Sequence, residues 1–177
     1  SSKRSGTKLS KCYSKILMES VERFFLKYGF PCANVLIDMS EISQEQFDRL
    51  EHACRNNEHI SKEKIEDLFK AAFRRIKQLA EEMKIEDYWD HRVIEEYWHR
   101  NHNVIIDEKD GNYKNFPQSF CDFCKVHVAT VLQVISPELV LVSYGNTKRP
   151  IFTLFVPDLK VGDKIRIHHA YAVEKAD

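Results

Sequence analysis

The spacing of apolar residues changes once along this chain, near residue 107, and that single switch constrains the fold more than any other feature. Upstream, apolar side chains recur at a helical period. Downstream, they alternate or run in short β-branched blocks, the pattern of strands. From Leu9, the series Cys12, Tyr13, Ile16, Leu17, Val21, Phe24, Phe25 and Tyr28 keeps to one helical face, and Gly29 followed by Pro31 predicts its C-terminal stop. Asn34 to Met39 is a short apolar run that reads equally as strand or buried loop. Ser43 with Gln46 predicts a capping-box start for a shorter helix through about Cys54. Ser61 opens the strongest helix, with Ile65, Leu68, Phe69, Ala72, Phe73, Ile76, Leu79, Ala80 and Met83 in one stripe. A fourth helix is predicted from about Glu86 to Asn103, carrying Tyr88, Trp89, Val93, Tyr97 and Trp98.

Residues 107–119 are polar, contain an Asp-Gly turn and one proline, and read as a linker. Four strand-like blocks follow: Phe123 to Ile135, Leu139 to Tyr144, Pro150 to Val156 and Lys164 to Val173. Ser136-Pro137-Glu138, Gly145-Asn146 and Val161-Gly162-Asp163 form the turns between them. The expected architecture is therefore α+β: an N-terminal α-helical bundle over 1–106, the linker, and a small OB-like antiparallel β-barrel over 120–177.

Charge narrows the function classes. Lys plus Arg is 27 and Asp plus Glu is 27, so the surplus of cation that neutralises a nucleic-acid backbone is missing. Lys3, Arg4, Lys8, Lys11 and Lys15 do crowd one short stretch, which reads first as a solvated helix face. No apolar run is long enough for a membrane helix, and no signal-peptide pattern is visible. Five cysteines is an odd number in a chain able to bury its own core. A reducing cytoplasm is the expected setting, with free thiols or a metal site in place of a disulfide framework.

Cys121-Asp-Phe-Cys124 is a C-x-x-C with His127 at the same spacing beyond it. Thiolates so placed grip one zinc, but a lone pair is half a site, and two buried thiols fit as well. Asp87, His91, Glu95 and His99 recur every four residues, with His102 one turn further, so that His99 or His102 could complete a zinc site with Cys121 and Cys124. Such stripes are more often solvated. Glu96-x-x-His99 matches one ligand pair of di-iron bundles, yet no second such pair occurs. Tyr88-Trp89 and Tyr97-Trp98 are either base-stacking platforms or core. No glycine-rich phosphate loop, nucleophile elbow or Cys-His-Asn order is present, so no catalytic set can be assembled and the chain is not expected to be an enzyme.

The last third carries a resemblance. Cys124-Lys-Val-His-Val-Ala-Thr-Val-Leu-Gln-Val-Ile135 resembles the opening of the HypC/HupF/HybG hydrogenase maturation chaperones, with Val128-Ala129 in place of that family's Pro-Gly. Leu141-Val-Ser-Tyr-Gly145 with Lys148-Arg149 is similar to its hydrophobic–aromatic–Gly segment and basic turn. Val156-Pro-Asp-Leu-Lys-Val-Gly-Asp163 and Ile165-Arg-Ile-His-His-Ala-Tyr-Ala-Val-Glu-Lys175 match its ending most closely. The resemblance implies that Cys124 stands for the family's essential cysteine and His168 for its strand-end histidine. The cargo would be a transiently held iron, the partners a HypD-like scaffold and a hydrogenase large-subunit precursor. Lys148, Arg149 and Tyr171 are the partner-binding candidates it suggests. A soft thiolate suits such iron, and a nearby imidazole can support it. Two other readings stand beside this one: an OB-like adaptor that binds protein or single-stranded nucleic acid, and a binding protein stabilised by zinc on Cys121 and Cys124.

Overall fold

The computed structural model describes residues 19–177. The basic cluster and the start of the first predicted helix face, Leu9 to Leu17, lie outside the described residues. Helix α1 (Val21–Gly29) begins where Ser20 Oγ accepts from the Arg23 amide at 3.2 Å. Gly29 does not stop the chain's helical course. A one-turn 3₁₀ helix, Phe30–Cys32, follows with Pro31 at its start, and α2 (Ala33–Asp38) continues from it. The run left open between strand and loop is thus helical. Gly29 has ordinary right-handed torsions and is required for space: a Cβ there would sit 2.9 Å from Phe25 Cε1.

Helix α3 (Gln44–Arg55) starts at the predicted capping box, in which Ser43 and Gln46 satisfy each other's amides. The long stripe after Ser61 is broken into α4 (Lys62–Leu68) and α5 (Lys70–Glu82). Phe69 at the junction takes φ −115° and ψ 47°, which aims its ring edge-on into Phe25, 5.3 Å between centroids. The fourth predicted helix starts late, because Asp90 caps α6 (His91–Glu96) by accepting from the Arg92 amide. A π-helical turn, Tyr97–Asn101, joins α6 to α7 (His102–Asp107). Between residues 107 and 119 the chain is ordered into a 3₁₀ turn, Gly111–Asn115, and the start of α8 (Gln118–Cys124).

Strands β1 (His127–Ser136), β2 (Leu139–Tyr144), β3 (Thr147–Phe152), β4 (Lys164–His168) and β5 (Tyr171–Lys175) close a barrel in the order β1-β2-β3-β5-β4. The fourth predicted strand is two strands, and one pairing departs from the antiparallel expectation: β3 meets β5 in parallel at Phe152 and Tyr171. Alternate residues fill the interior, among them Ala129, Val131, Val140, Val142, Ile151, Ile165 and Ile167. The apolar core does not stop at the barrel wall. Phe24, Phe25, Tyr28, Trp98 and Ile105 of the helical part and Val126, Ile167 and Val173 of the barrel belong to one continuous buried cluster.

Candidate metal centre between helices and barrel

Polar groups fasten the two parts. Asn103 exchanges two hydrogen bonds with the Val126 backbone, both 2.8 Å. Lys125 pairs with Asp107 at 2.5 Å. The Glu174 carboxylate on β5 accepts from Tyr28 Oη at 2.8 Å, His99 Nε2 at 2.7 Å and Arg166 at 3.0 Å. Burial by itself would push Glu174 up, but these donors and charges outweigh it and hold the carboxyl below its ordinary range.

Beneath this frame lies a group of sulfur and imidazole, its two histidines buried and its cysteine partly so. Cys32, His168 and His169 each offer a ligand atom, and the three atoms lie within 4.8 Å of one another. Cys32 Sγ is 3.3 Å from His168 Nε2 and 3.7 Å from His169 Nε2. Neighbouring residues on a strand normally point to opposite faces. Here β4 ends at His168 and His169 takes a left-handed φ of 49°, so both rings reach the same sulfur. The Arg149 guanidinium braces that turn by donating to the His169 carbonyl while lying 4.7 Å over the Phe123 ring.

Protonation follows from the partners. His168 Nδ1 is 2.6 Å from the Tyr28 carbonyl, which can only accept, so Nδ1 carries the proton and the Nε2 lone pair faces Cys32. Burial pushes His168 down to about 4, and the backbone groups of Tyr28 and Cys124 only partly oppose it. Burial likewise holds His169 far below the usual imidazole range, with the neighbouring His168 and Arg149 adding to the effect. The Cys32 thiol is driven up by burial and, second, by Cys124. Neutral imidazoles are the form that binds metal, a bound cation displaces a thiol's proton, and a ligating histidine that anchors its other nitrogen on a carbonyl is a usual arrangement. This group can hold a metal ion.

The predicted site residues are distributed differently from expectation. Of Cys124, Cys121 and His168, only His168 belongs to the group. Cys124 ends α8 with its thiol buried and pushed up to about 12, burial acting first and Cys121 second. Cys121 sits in a small apolar cluster with Ile106, beside Phe116 and Phe120, its sulfur 3.2 Å from Lys109 Nζ. Among the described residues no histidine joins Cys121 and Cys124 in a metal-competent group: His99 is engaged by Glu174, and His127 lies on Tyr144 and spends its Nε2 on the Asp122 carbonyl inside the motif. The stripe of His91, Glu95 and His99 pairs within itself. Past the π turn, His102 leaves that line and enters the core beside His168. Of the partner-binding candidates, Lys148 is exposed, whereas Arg149 braces the His169 turn and Tyr171 packs on Phe30 and Phe152. The possible base-stacking residues Trp89, Tyr97 and Trp98 are buried.

Sequence reasoning missed Cys32 and His169. The available signal was the His168-His169 pair at a strand end with no glycine to make the turn. Nothing local marked Cys32. No helix among the described residues is long and apolar enough to cross a membrane. No protein-family model matches the chain, and the search of curated proteins finds no match either.

Proposed function

We propose that this chain is a non-catalytic metal-handling protein of the HypC-like kind, a metallocentre-assembly factor that holds a first-row transition metal at the end of its barrel and acts through partner proteins. One observation carries the reading. His168, the histidine that the resemblance selects from sequence alone, lies in the group of metal-competent side chains found among the described residues. Cys124, the cysteine selected with it, is outside that group and ends α8 buried beside Cys121. The HypD-like scaffold, the hydrogenase large-subunit precursor and an iron cargo belong to this proposal through the resemblance. Anaerobic purification followed by elemental analysis tests it, with recombinant HypD-like scaffold as the binding partner. The native chain is expected to carry or take up a first-row metal and to bind the scaffold, and His168→Ala to lose the metal. A chain that takes up neither Fe²⁺ nor Zn²⁺ and ignores the scaffold overturns the reading.

A second reading rests on a different surface. Val134 and Ile135 on β1 and Phe152 on β3 are about half exposed, and apolar side chains of this kind serve a protein partner where they form a contiguous patch. In that reading the barrel is an adaptor and the metal group stabilises it.

A further inference from the structure

Beside the group of Cys32, His168 and His169 stands one more donor atom that no hydrogen bond among the described residues uses. His102, on α7, is 2 % exposed, and its Nδ1 has no hydrogen-bond partner among the described residues. An unpaired buried imidazole nitrogen is costly, and native proteins rarely leave one without a reason. Its ring stands 4.9 Å from that of His168, nearly perpendicular. The same ring and Cys32 both line a cavity of about 80 Å³ that reaches toward Arg75 and Tyr113. A third imidazole thus adjoins the group of one thiol and two imidazoles. Among the described residues none of these three rings pairs with a carboxylate, whereas His99 does.

We propose that these four side chains form a four-coordinate zinc-class centre in which the helical part supplies Cys32 and His102 and the barrel supplies His168 and His169. The proposal rests on the metal-handling reading and goes further, in naming the ligands and making the ion a joint between the two parts. One thiolate and three imidazoles are a borderline-soft set suited to tetrahedral Zn²⁺, and to Co²⁺ as its spectroscopic substitute. On binding, the Cys32 sulfur forms its bond to the ion and releases one proton to solvent, leaving a single net positive charge. The His168 Nε2 lone pair already faces the sulfur, and its Nδ1–H is already anchored on the Tyr28 carbonyl.

Titration of the full chain with Co²⁺ under reducing, anaerobic conditions, followed by competition with Zn²⁺, tests this. The native protein is expected to show the intense visible bands of tetrahedral cobalt together with a near-ultraviolet sulfur-to-cobalt charge-transfer band. Cys32→Ser should remove the charge-transfer band. His102→Gln and His169→Asn should keep it while weakening affinity on the order of tenfold or more. Asn tolerates the left-handed torsion at 169, and circular dichroism reports whether each variant is folded. Cys121→Ala and Cys124→Ala should leave the spectrum unchanged. Tetrahedral cobalt whose sulfur band depends on Cys121 or Cys124 overturns this ligand set while metal handling stands. Unchanged affinity in folded His102→Gln removes His102 and the four-coordinate centre. Failure of the native chain to bind Co²⁺ or Zn²⁺ overturns the zinc-class centre, while uptake of Fe²⁺ that depends on His168 would still uphold metal handling.

Discussion

Glu174 is one residue on which both parts of the molecule converge. Tyr28 and His99 reach it from the helices and Arg166 from β4, with Glu95 behind His99. Its carboxyl is held below the ordinary value in the folded state, so the contact stabilises the fold fully above that value and is lost as pH falls through the lowered one. Glu174→Gln should cost on the order of 1–3 kcal/mol at neutral pH, the scale of hydrogen bonds to a charged group. It should also flatten the acid side of the stability curve, which thermal melts followed by circular dichroism between neutral and acidic pH would show. A variant whose acid limb parallels the native one would mean that other carboxylates govern acid unfolding. At this scale the site was half legible. His168 could be chosen from its place in a terminal motif, whereas Cys32 lies 136 positions away and meets it only through tertiary packing. No local pattern encodes such a meeting.

At the scale of elements, legibility followed the range of the interactions that set each boundary. The start of α3 was readable because Ser43 and Gln46 satisfy one another within four residues. The break at Phe69 and the π turn at Tyr97–Asn101 were not, since the apolar spacing runs through both without interruption. The β4–β5 turn was hidden for another reason: His169 adopts the left-handed conformation with no glycine, proline or asparagine to announce it. Gly29 shows how packing overrides propensity. Alanine at a helical glycine ordinarily gains about 0.5–1 kcal/mol. Here the new methyl would press on Phe25, which Phe69, Phe73, Trp89 and Trp98 enclose on its other sides. Overpacking costs about 1–3 kcal/mol, so the steric effect wins. Gly29→Ala should lower stability by roughly 1 kcal/mol in urea unfolding, the difference of those two ranges; a stabilised variant would show that the Phe25 ring can yield.

Across the whole molecule, composition marks two regions while the packing unites them. The switch of period near residue 107 falls at the end of α7, yet α8 still precedes the barrel and the first strand starts at His127 and not at Phe123, because periodicity reports local structure and not boundaries. It is blind to the continuous cluster that joins Phe25 and Trp98 to Ile167 and Val173. A shared core couples the unfolding of both parts, so tryptophan fluorescence, which reports the helical part through Trp89 and Trp98, and the barrel's signal in circular dichroism should give one coincident transition in urea. Two separated transitions would mean that the junction contributes little. An ion held by Cys32 and His102 on one side and His168 and His169 on the other would strengthen this coupling, since a ligand that binds only the folded state stabilises it by mass action. At a free concentration one hundred times the dissociation constant, the gain is about 2.7 kcal/mol. Thermal melts of the native chain with Zn²⁺ and with chelator should therefore differ, and Cys32→Ser should melt at nearly the same temperature in both. If Cys32→Ser retains the full zinc-dependent increase, the ion is bound elsewhere and does not bridge the two halves through that sulfur.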